Sequence, residues 1–135
     1  MFEMQVRPTP EDIDELDHVS NLVYLRWVQD VAVAHSEDVG LSLADYTRIG
    51  AVFVVRRHEI EYRRPTYLGD EITLQTWISE AKAASAMRET RILKGDTEMV
   101  RARTRWAFID KARGRPKRIP EEIHQAFGIE DEPYQ

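Results

Sequence analysis

Asp14, His18 and Asn21 are the residues of this chain whose types and spacing come closest to a reaction. They lie in DIDELDHVSNLVYLRW, residues 12–27, where a short loop runs straight into a predicted helix. A carboxylate, an imidazole and a carboxamide therefore collect beside a helix N-terminus. Such an end carries unpaired backbone N–H groups and a partial positive charge. It can hold a carbonyl oxygen that is becoming an oxyanion, while a neighbouring base or nucleophile acts on the carbon. The competing reading is purely structural. Asp14 and Asp17 would shape a turn, His18 would pack the loop, and Asn21 would cap the helix.

The elements that must position these groups can be read from pattern. Phe2, Met4 and Val6 alternate with polar residues as a short strand, ended by Pro8 and Pro10. Ser20 or Asn21 caps a helix running to about Gly40, roughly 28 Å long. Its apolar residues cover most of the circumference, with Arg26, Asp30 and Glu37 as a narrow polar strip. A helix of that kind is expected to be buried on several sides, with a sheet curled around it. A short second helix fits within Leu41–Ile49, and strands follow. AVFVVRRHEIEYRRP is ended by Pro65, Gly69-Asp70 opens EITLQTWISEA, and Ser85–Lys94 closes at Gly95-Asp96. From Glu98 to Asp110, Val100, Ala102, Thr104, Trp106 and Phe108 share one face, and Arg101, Arg103 and Arg105 the other. Short loops between these strands predict an antiparallel meander. Pro120 starts a last helix, and Glu130–Gln135 reads as a frayed acidic tail. The expectation is one α+β domain over residues 1–135. The sheet's outer face would carry the three arginines with Trp77 and Ile109, a mixed surface that predicts a homo-oligomer.

Composition narrows the classes. The chain has 135 residues, no cysteine and a net charge of −5. That excludes disulfides, thiolate catalysis and cysteine-held zinc, and argues against a general nucleic-acid binder. No apolar run reaches the roughly 18–20 residues of a membrane span, and MFEMQVRPTP lacks the features of a signal peptide. A cytoplasmic protein is the expectation. Metal motifs fail: His58-Glu59 is followed by Tyr62 where a zincin helix needs histidine, and the Asp12-x-Asp14 start lacks the glycine of a calcium loop. No glycine-rich phosphate loop or nucleophile elbow occurs. His35 and His124 are isolated and read as packing or surface residues.

The 12–27 stretch resembles the signature of the 4-hydroxybenzoyl-CoA thioesterase-like branch of hotdog-fold acyl-CoA thioesterases. That family carries an aspartate, then His-Val-Asn-Asn four residues on, then Tyr-Leu in the helix. Here the residues are Asp14, His18-Val19-Ser20-Asn21 and Tyr24-Leu25. A second element, IEYRRPTYLGD from Ile60 to Asp70, has the family's tyrosine, proline and Gly-Asp turn. The resemblance runs from about Met4 to Ile123. It implies a hotdog fold, an antiparallel sheet of five to six strands wrapped around one long central helix.

For function, the resemblance implies hydrolysis of an acyl-CoA thioester without metal or organic cofactor. Asp14 would be base or nucleophile, the Asn21 amide the oxyanion donor, and His18 a supporting group. Tyr24, Arg63 and Arg64 would contact substrate, the arginines through coenzyme A phosphates. Arg56, Arg57, Arg88, Arg91 and the basic run 111–118 are further basic candidates, each otherwise a solvated strand edge or turn. The groove would lie between subunits of a dimer or tetramer. Two departures stand out: Ser20 replaces the first asparagine, and Asp17 takes a position where many members have glycine or another small or neutral residue. A second carboxylate sharing a cavity with Asp14 would resist full ionisation. A non-catalytic acyl-binding protein and an acyl-acyl carrier protein thioesterase are the alternatives.

Overall fold

The computed structural model describes residues 1–129; the predicted acidic tail, Glu130–Gln135, lies outside them. Five strands form one antiparallel sheet: β1 (Phe2–Val6), β2 (Ala51–Tyr62), β3 (Ile72–Ala81), β4 (Ser85–Lys94) and β5 (Thr97–Asp110). Their order is β1-β3-β4-β5-β2. The last three strands are the expected meander. The β4–β5 turn is Gly95-Asp96 between the paired Lys94 and Thr97, with Gly95 at a φ of +60° that favours glycine.

β2 departs from the expectation. It pairs with β5 rather than with β3. The chain from Tyr62 to Ile72 must therefore cross β5 and β4, roughly 14 Å at the usual strand spacing. Residues 63–71 are long enough for this, so turn signals at Pro65 and Gly69 mark a crossover and not a hairpin. Register shifts at Val55/Arg57, Ile78/Glu80 and Ile92/Leu93 are bulges, which bend their strands.

The long helix, α1 (Asn21–Asp38), starts at Ser20, whose hydroxyl accepts from the Leu22 amide at 3.3 Å. Val23, Tyr24, Trp27, Val28, Val31 and Ala32 form its buried stripe. They pack on Ile72, Leu74, Ile92, Val100 and Ala102 from the inner face of the sheet. Each such side chain, fully buried, contributes about 1.5–3 kcal/mol. The helix is covered on one side, where burial on several sides was expected. Leu22 and Val33 remain 76% and 57% exposed because no second layer lies over them in one chain.

A second cluster joins α2 (Leu43–Ile49) and α3 (Glu121–Phe127) to the far end of the sheet through Leu41, Ala51, Phe108, Ile119 and Ile123. Pro120 precedes α3 as its cap residue.

The outer face of the sheet carries the expected mixture of arginines and apolar residues, with an acid among them. Glu89 is buried beneath Arg101 and Arg103, at 3.3 and 3.1 Å, and accepts from the Ser79 hydroxyl at 2.9 Å. Arg101 also lies 5.1 Å from the Trp77 ring centroid.

Candidate active site

The loop that carries Asp14 and His18 is a small antiparallel turn. Ile13 bridges Val19, the Asp14 amide donates to the His18 carbonyl at 2.8 Å, and the Asp17 amide donates to the Asp14 carbonyl at 3.1 Å. Asp17 has a φ of +62° and is the only non-glycine residue with positive φ among those described. Aspartate tolerates this left-handed conformation better than most residues, and glycine better still. The position is one that backbone geometry restricts, and aspartate meets the restriction. One Asp14 carboxylate oxygen accepts from the Leu16 amide at 2.9 Å, an Asx turn that fixes χ1 and leaves the other oxygen free.

Two contacts dock this turn against the crossover. The Val19 amide donates to the Thr66 carbonyl at 2.9 Å. The Tyr24 hydroxyl lies 2.7 Å from the Thr66 hydroxyl and accepts from the Thr66 amide at 3.0 Å. Thr66 is wholly buried and Tyr24 nearly so. His18 then meets Tyr67 edge to face, with ring centroids 5.3 Å apart. The two stretches singled out in sequence, 12–27 and 60–70, are thus one structural unit. Tyr24 serves it from inside, with its hydroxyl occupied by Thr66.

Asn21 is the first residue of α1, and its amide has no acceptor among the described residues. It is exposed, as is Asp14, while His18 is half-buried. A free N–H at a helix start, a few residues along the chain from a free carboxylate oxygen and an imidazole, is an arrangement that can receive a carbonyl.

One acid at the start of this loop is structural. Asp12 is buried, accepts from the Thr9 amide at 2.8 Å and pairs with Arg26 at 3.0 Å. Burial alone would raise its carboxyl, but the Thr9 amide and the Arg26 guanidinium outweigh it and hold it below the usual range. The signal was present in sequence as Thr-Pro-Glu-Asp, a capping box on the turn Pro10–Asp12.

Of the two arginines favoured for phosphate, Arg63 is engaged by Glu98 and Glu61. Arg64 is exposed, and its side chain has no partner among the described residues. Arg91 pairs with Glu98 and Gln75. Arg88 corrects the expectation of a solvated strand edge: it is 5% exposed and points inward from β4. Alternation was the signal, since Ala86, Arg88, Thr90 and Ile92 occupy the same face. His35 is half-buried, stacked on Phe2 and edge to face with Phe127. Among the described residues, no three histidines or acids stand close enough together to hold a metal ion. No helix there is long and apolar enough to cross a membrane.

Comparison with known proteins bears on this geometry. Residues 8–127 match the model of the Thioesterase-like superfamily. The acyl-CoA thioesterase YbgC of Haemophilus influenzae is 25% identical over 129 residues, 93% of each chain. A probable thioesterase from Bartonella henselae superposes with a TM-score of 0.82 at 28% identity, covering 88% of this chain and 98% of that one. The SAV2348 protein of Staphylococcus aureus, solved in complex with CoA, superposes at 0.89 with 20% identity, over 99% of this chain and 87% of its own. The order of elements is that of the hotdog thioesterases, an open antiparallel sheet with a long helix against one face.

Proposed function

Because the chain belongs to the thioesterase-like superfamily, we propose that it hydrolyses acyl-CoA thioesters to a free acid and coenzyme A. The observation that carries this reading is the unpartnered Asn21 amide at the start of α1, beside the turn that holds Asp14 and His18. The likeness to an acyl-CoA thioesterase and to a CoA-bound structure supports the choice of substrate.

The chemistry follows from these groups. The thioester carbonyl oxygen accepts from the Asn21 amide. Asp14 takes a proton from water as the water oxygen bonds to the carbonyl carbon. The carbonyl electron pair moves to oxygen and is held by the amide, a donor worth about 3–4 kcal/mol of barrier. Collapse re-forms the carbonyl, breaks the C–S bond and releases the coenzyme A thiolate, which recovers the proton from Asp14. His18 orients the water. Direct attack by Asp14 would instead form a mixed anhydride and release the thiolate; in a single turnover in 18O-water, attack of water on its aspartyl carbonyl would label Asp14 and leave an unlabelled acid, whereas attack on its acyl carbonyl would label the acid alone. Arg64 pairs with a coenzyme A phosphate, and Tyr24 acts by holding the crossover in place.

Asp14 is exposed in one chain, so a second copy must help enclose the reacting atoms. The unpaired edge of β2 and the exposed Leu22, Val33 and Val54 offer it a surface. A dimer, alone or doubled into a tetramer, is the assembly this reading requires.

The test is turnover of an acyl-CoA panel by the wild type and by Asp14→Asn. A fall in kcat of about 10²-fold or more is expected, and equal rates would remove Asp14 from the mechanism. One observation favours a second reading, an acyl-binding protein without turnover: Asp14 already spends one oxygen on the Leu16 amide. Saturable acyl-CoA binding with no thiol release by the wild type would establish that reading. Comparing an acyl-CoA with the same acyl group on a carrier protein separates the two donor classes.

A further inference from the structure

The turn between β5 and α3 carries the basic run of the sequence, and the groups around Asp14 make no use of it. Residues 110–118 hold five cations, Lys111, Arg113, Arg115, Lys117 and Arg118, and one acid, Asp110, in a chain of net charge −5. The acid shapes the turn: its Oδ1 accepts from the amides of Ala112 and Arg113 at 2.9 and 3.0 Å. The Asp110 amide donates to the Arg115 carbonyl at 2.8 Å, the Lys117 amide donates to the Phe108 carbonyl at 2.9 Å, and Ile109 bridges Pro116. Lys117 Nζ donates to the Ile49 carbonyl at 3.1 Å, which ties the turn to the end of α2. The cations are therefore presented on a formed scaffold, and a ligand that meets them need not order it.

Four of the five are exposed and unmatched. The side chains of Lys111, Arg113, Arg115 and Arg118 have no partner among the described residues. Elsewhere on the surface Arg7, Arg48, Arg57, Lys82 and Lys94 each sit beside an acid. Like charges gathered on one short turn repel each other, and an anion of several charges relieves that repulsion.

Topology decides which anion reaches them. On β5, Asp110 lies opposite Ala51 of β2, and Val100 lies opposite Tyr62. The ten residues from Val100 to Asp110 span roughly 33 Å. The Tyr62 end leads into the crossover, whose Thr66 holds Val19 and Tyr24 and with them the Asp14 turn and the start of α1. Within one chain the basic turn and the reacting groups therefore stand at opposite ends of the sheet. The open edge of β2 reverses this. Two copies that pair these edges about a two-fold axis at mid-strand run antiparallel. The Ala51 end of one copy then stands beside the Tyr62 end of the other. That brings the basic turn within two strand spacings, about 10 Å, of the partner's crossover.

We propose that the turn 111–118 of one chain binds the phosphates of the coenzyme A whose thioester lies at the partner's Asp14. Arg113, Arg115 and Arg118 are the main contacts, since their guanidinium forks match phosphate oxygens. This rests on the hydrolase reading and on its dimer. Each site then takes its reacting groups from one copy and its nucleotide contacts from the other, so the phosphorylated end of the substrate is recognised as well as the thioester.

The test begins with KM and kcat for an acyl-CoA and for the same acyl group on pantetheine, which has no phosphate. Wild type is compared with the triple variant Arg113→Gln, Arg115→Gln, Arg118→Gln. Loss of three exposed charge pairs should raise KM for the acyl-CoA about tenfold, leave its kcat in place and move KM for the pantetheine thioester by less than about twofold. Equal changes for the two thioesters, or no change for either, would overturn the proposal. Mixed dimers of an Asp14→Asn chain and a triple-variant chain, isolated through two affinity tags, test the placement. One of their sites joins an intact Asp14 to an intact turn across the interface, so the wild-type KM with about half the wild-type kcat is expected. The raised KM in the mixed dimer would put the turn and Asp14 in the same chain and overturn the proposal. A wild type that cleaves no thioester, or an Asp14→Asn protein that cleaves as well as wild type, counts against the hydrolase reading instead. Calorimetric titration with coenzyme A and with pantetheine then decides: the triple variant should bind the first about tenfold more weakly and the second as wild type does, and an equal effect on both would overturn the proposal.

Discussion

Replacing Tyr24 by phenylalanine removes one oxygen atom and strands two polar groups of Thr66. The Thr66 amide loses its acceptor at 3.0 Å, and the Thr66 hydroxyl loses its partner at 2.7 Å. Thr66 is 0% exposed, so water cannot replace either bond without local opening. An unsatisfied buried amide costs about 1–3 kcal/mol, and the lost hydroxyl pair adds about 1 kcal/mol. The expected destabilisation is therefore about 2–4 kcal/mol. Unfolding entropy of about 2.1 cal/mol/K per residue, over 135 residues, gives roughly 0.28 kcal/mol per degree. The melting temperature should fall by about 7–14 °C. Scanning calorimetry on wild type, Tyr24→Phe, Thr66→Val and the double variant measures it. The two substitutions should couple by about 0.5–1.5 kcal/mol, since the hydroxyl has already lost its partner when Tyr24 is replaced. A functional effect should accompany the loss, because Thr66 also accepts from Val19, beside His18. Thioester turnover at 25 °C, well below the melt, should drop in Tyr24→Phe. A Tyr24→Phe protein that melts within about 2 °C of wild type would refute the claim that this oxygen joins the crossover to the helix.

Three further outcomes can be measured. Burial and the Arg88 charge hold His35 at about 4 in the folded chain, against 6.5 when free; a base depressed on folding gives stability that is full above pH 6.5 and lost as pH falls from 6.5 to 4, where only the unfolded chain takes up the proton. For a half-buried ring this is about 1–2 kcal/mol after solvent screening, so His35→Gln should flatten the difference between melts at pH 7 and pH 4.5, and an unchanged difference would count against it. Asp17→Gly should leave stability within about 0.5 kcal/mol and preserve turnover, whereas Asp17→Val at the same positive φ should cost about 1–2 kcal/mol by urea denaturation; a loss of turnover in Asp17→Gly would show that the carboxylate itself matters. Glu89→Gln should cost about 1–2 kcal/mol by releasing Arg101 and Arg103, less at high salt since both arginines are partly exposed; a salt-independent loss would point to packing instead of charge.

Local chemistry was legible in the sequence because it depends on neighbours in the chain. Ser20 caps α1 where hydroxyl and helix start coincide. The alternation of Val100 to Phe108 against Arg101 to Arg105 marks two faces that a strand cannot exchange. Gly95-Asp96 turns as its composition requires. The β2 partner was not legible, because Pro65 and Gly69-Asp70 punctuate a hairpin and a crossover alike. The choice between them rests on long-range pairing of β2 with β5, which runs from Tyr62 opposite Val100 to Ala51 opposite Asp110. That pairing is also what brings Thr66 to Tyr24, and so the second recognised stretch to the first.

Arg88 and Asp12 show the same limit from the side of charge. Charged residues are seldom buried, so each was assigned to solvent or loop by composition. Asp12 is tolerated inside because its own neighbourhood, the Thr9 amide and Arg26 one helical turn into α1, satisfies it. Arg88 has no such acid among the described residues. Its inward position follows from strand alternation alone, since moving it to the outer face would turn Ala86, Thr90 and Ile92 out of the core with it. A residue held inside by register, with its charge unmet, differs from one held inside by its own partners. The first is placed by the pairing of whole strands and the second by its immediate neighbours, which is why the capping box announces Asp12 in the sequence while nothing beside Arg88 in the chain announces its burial.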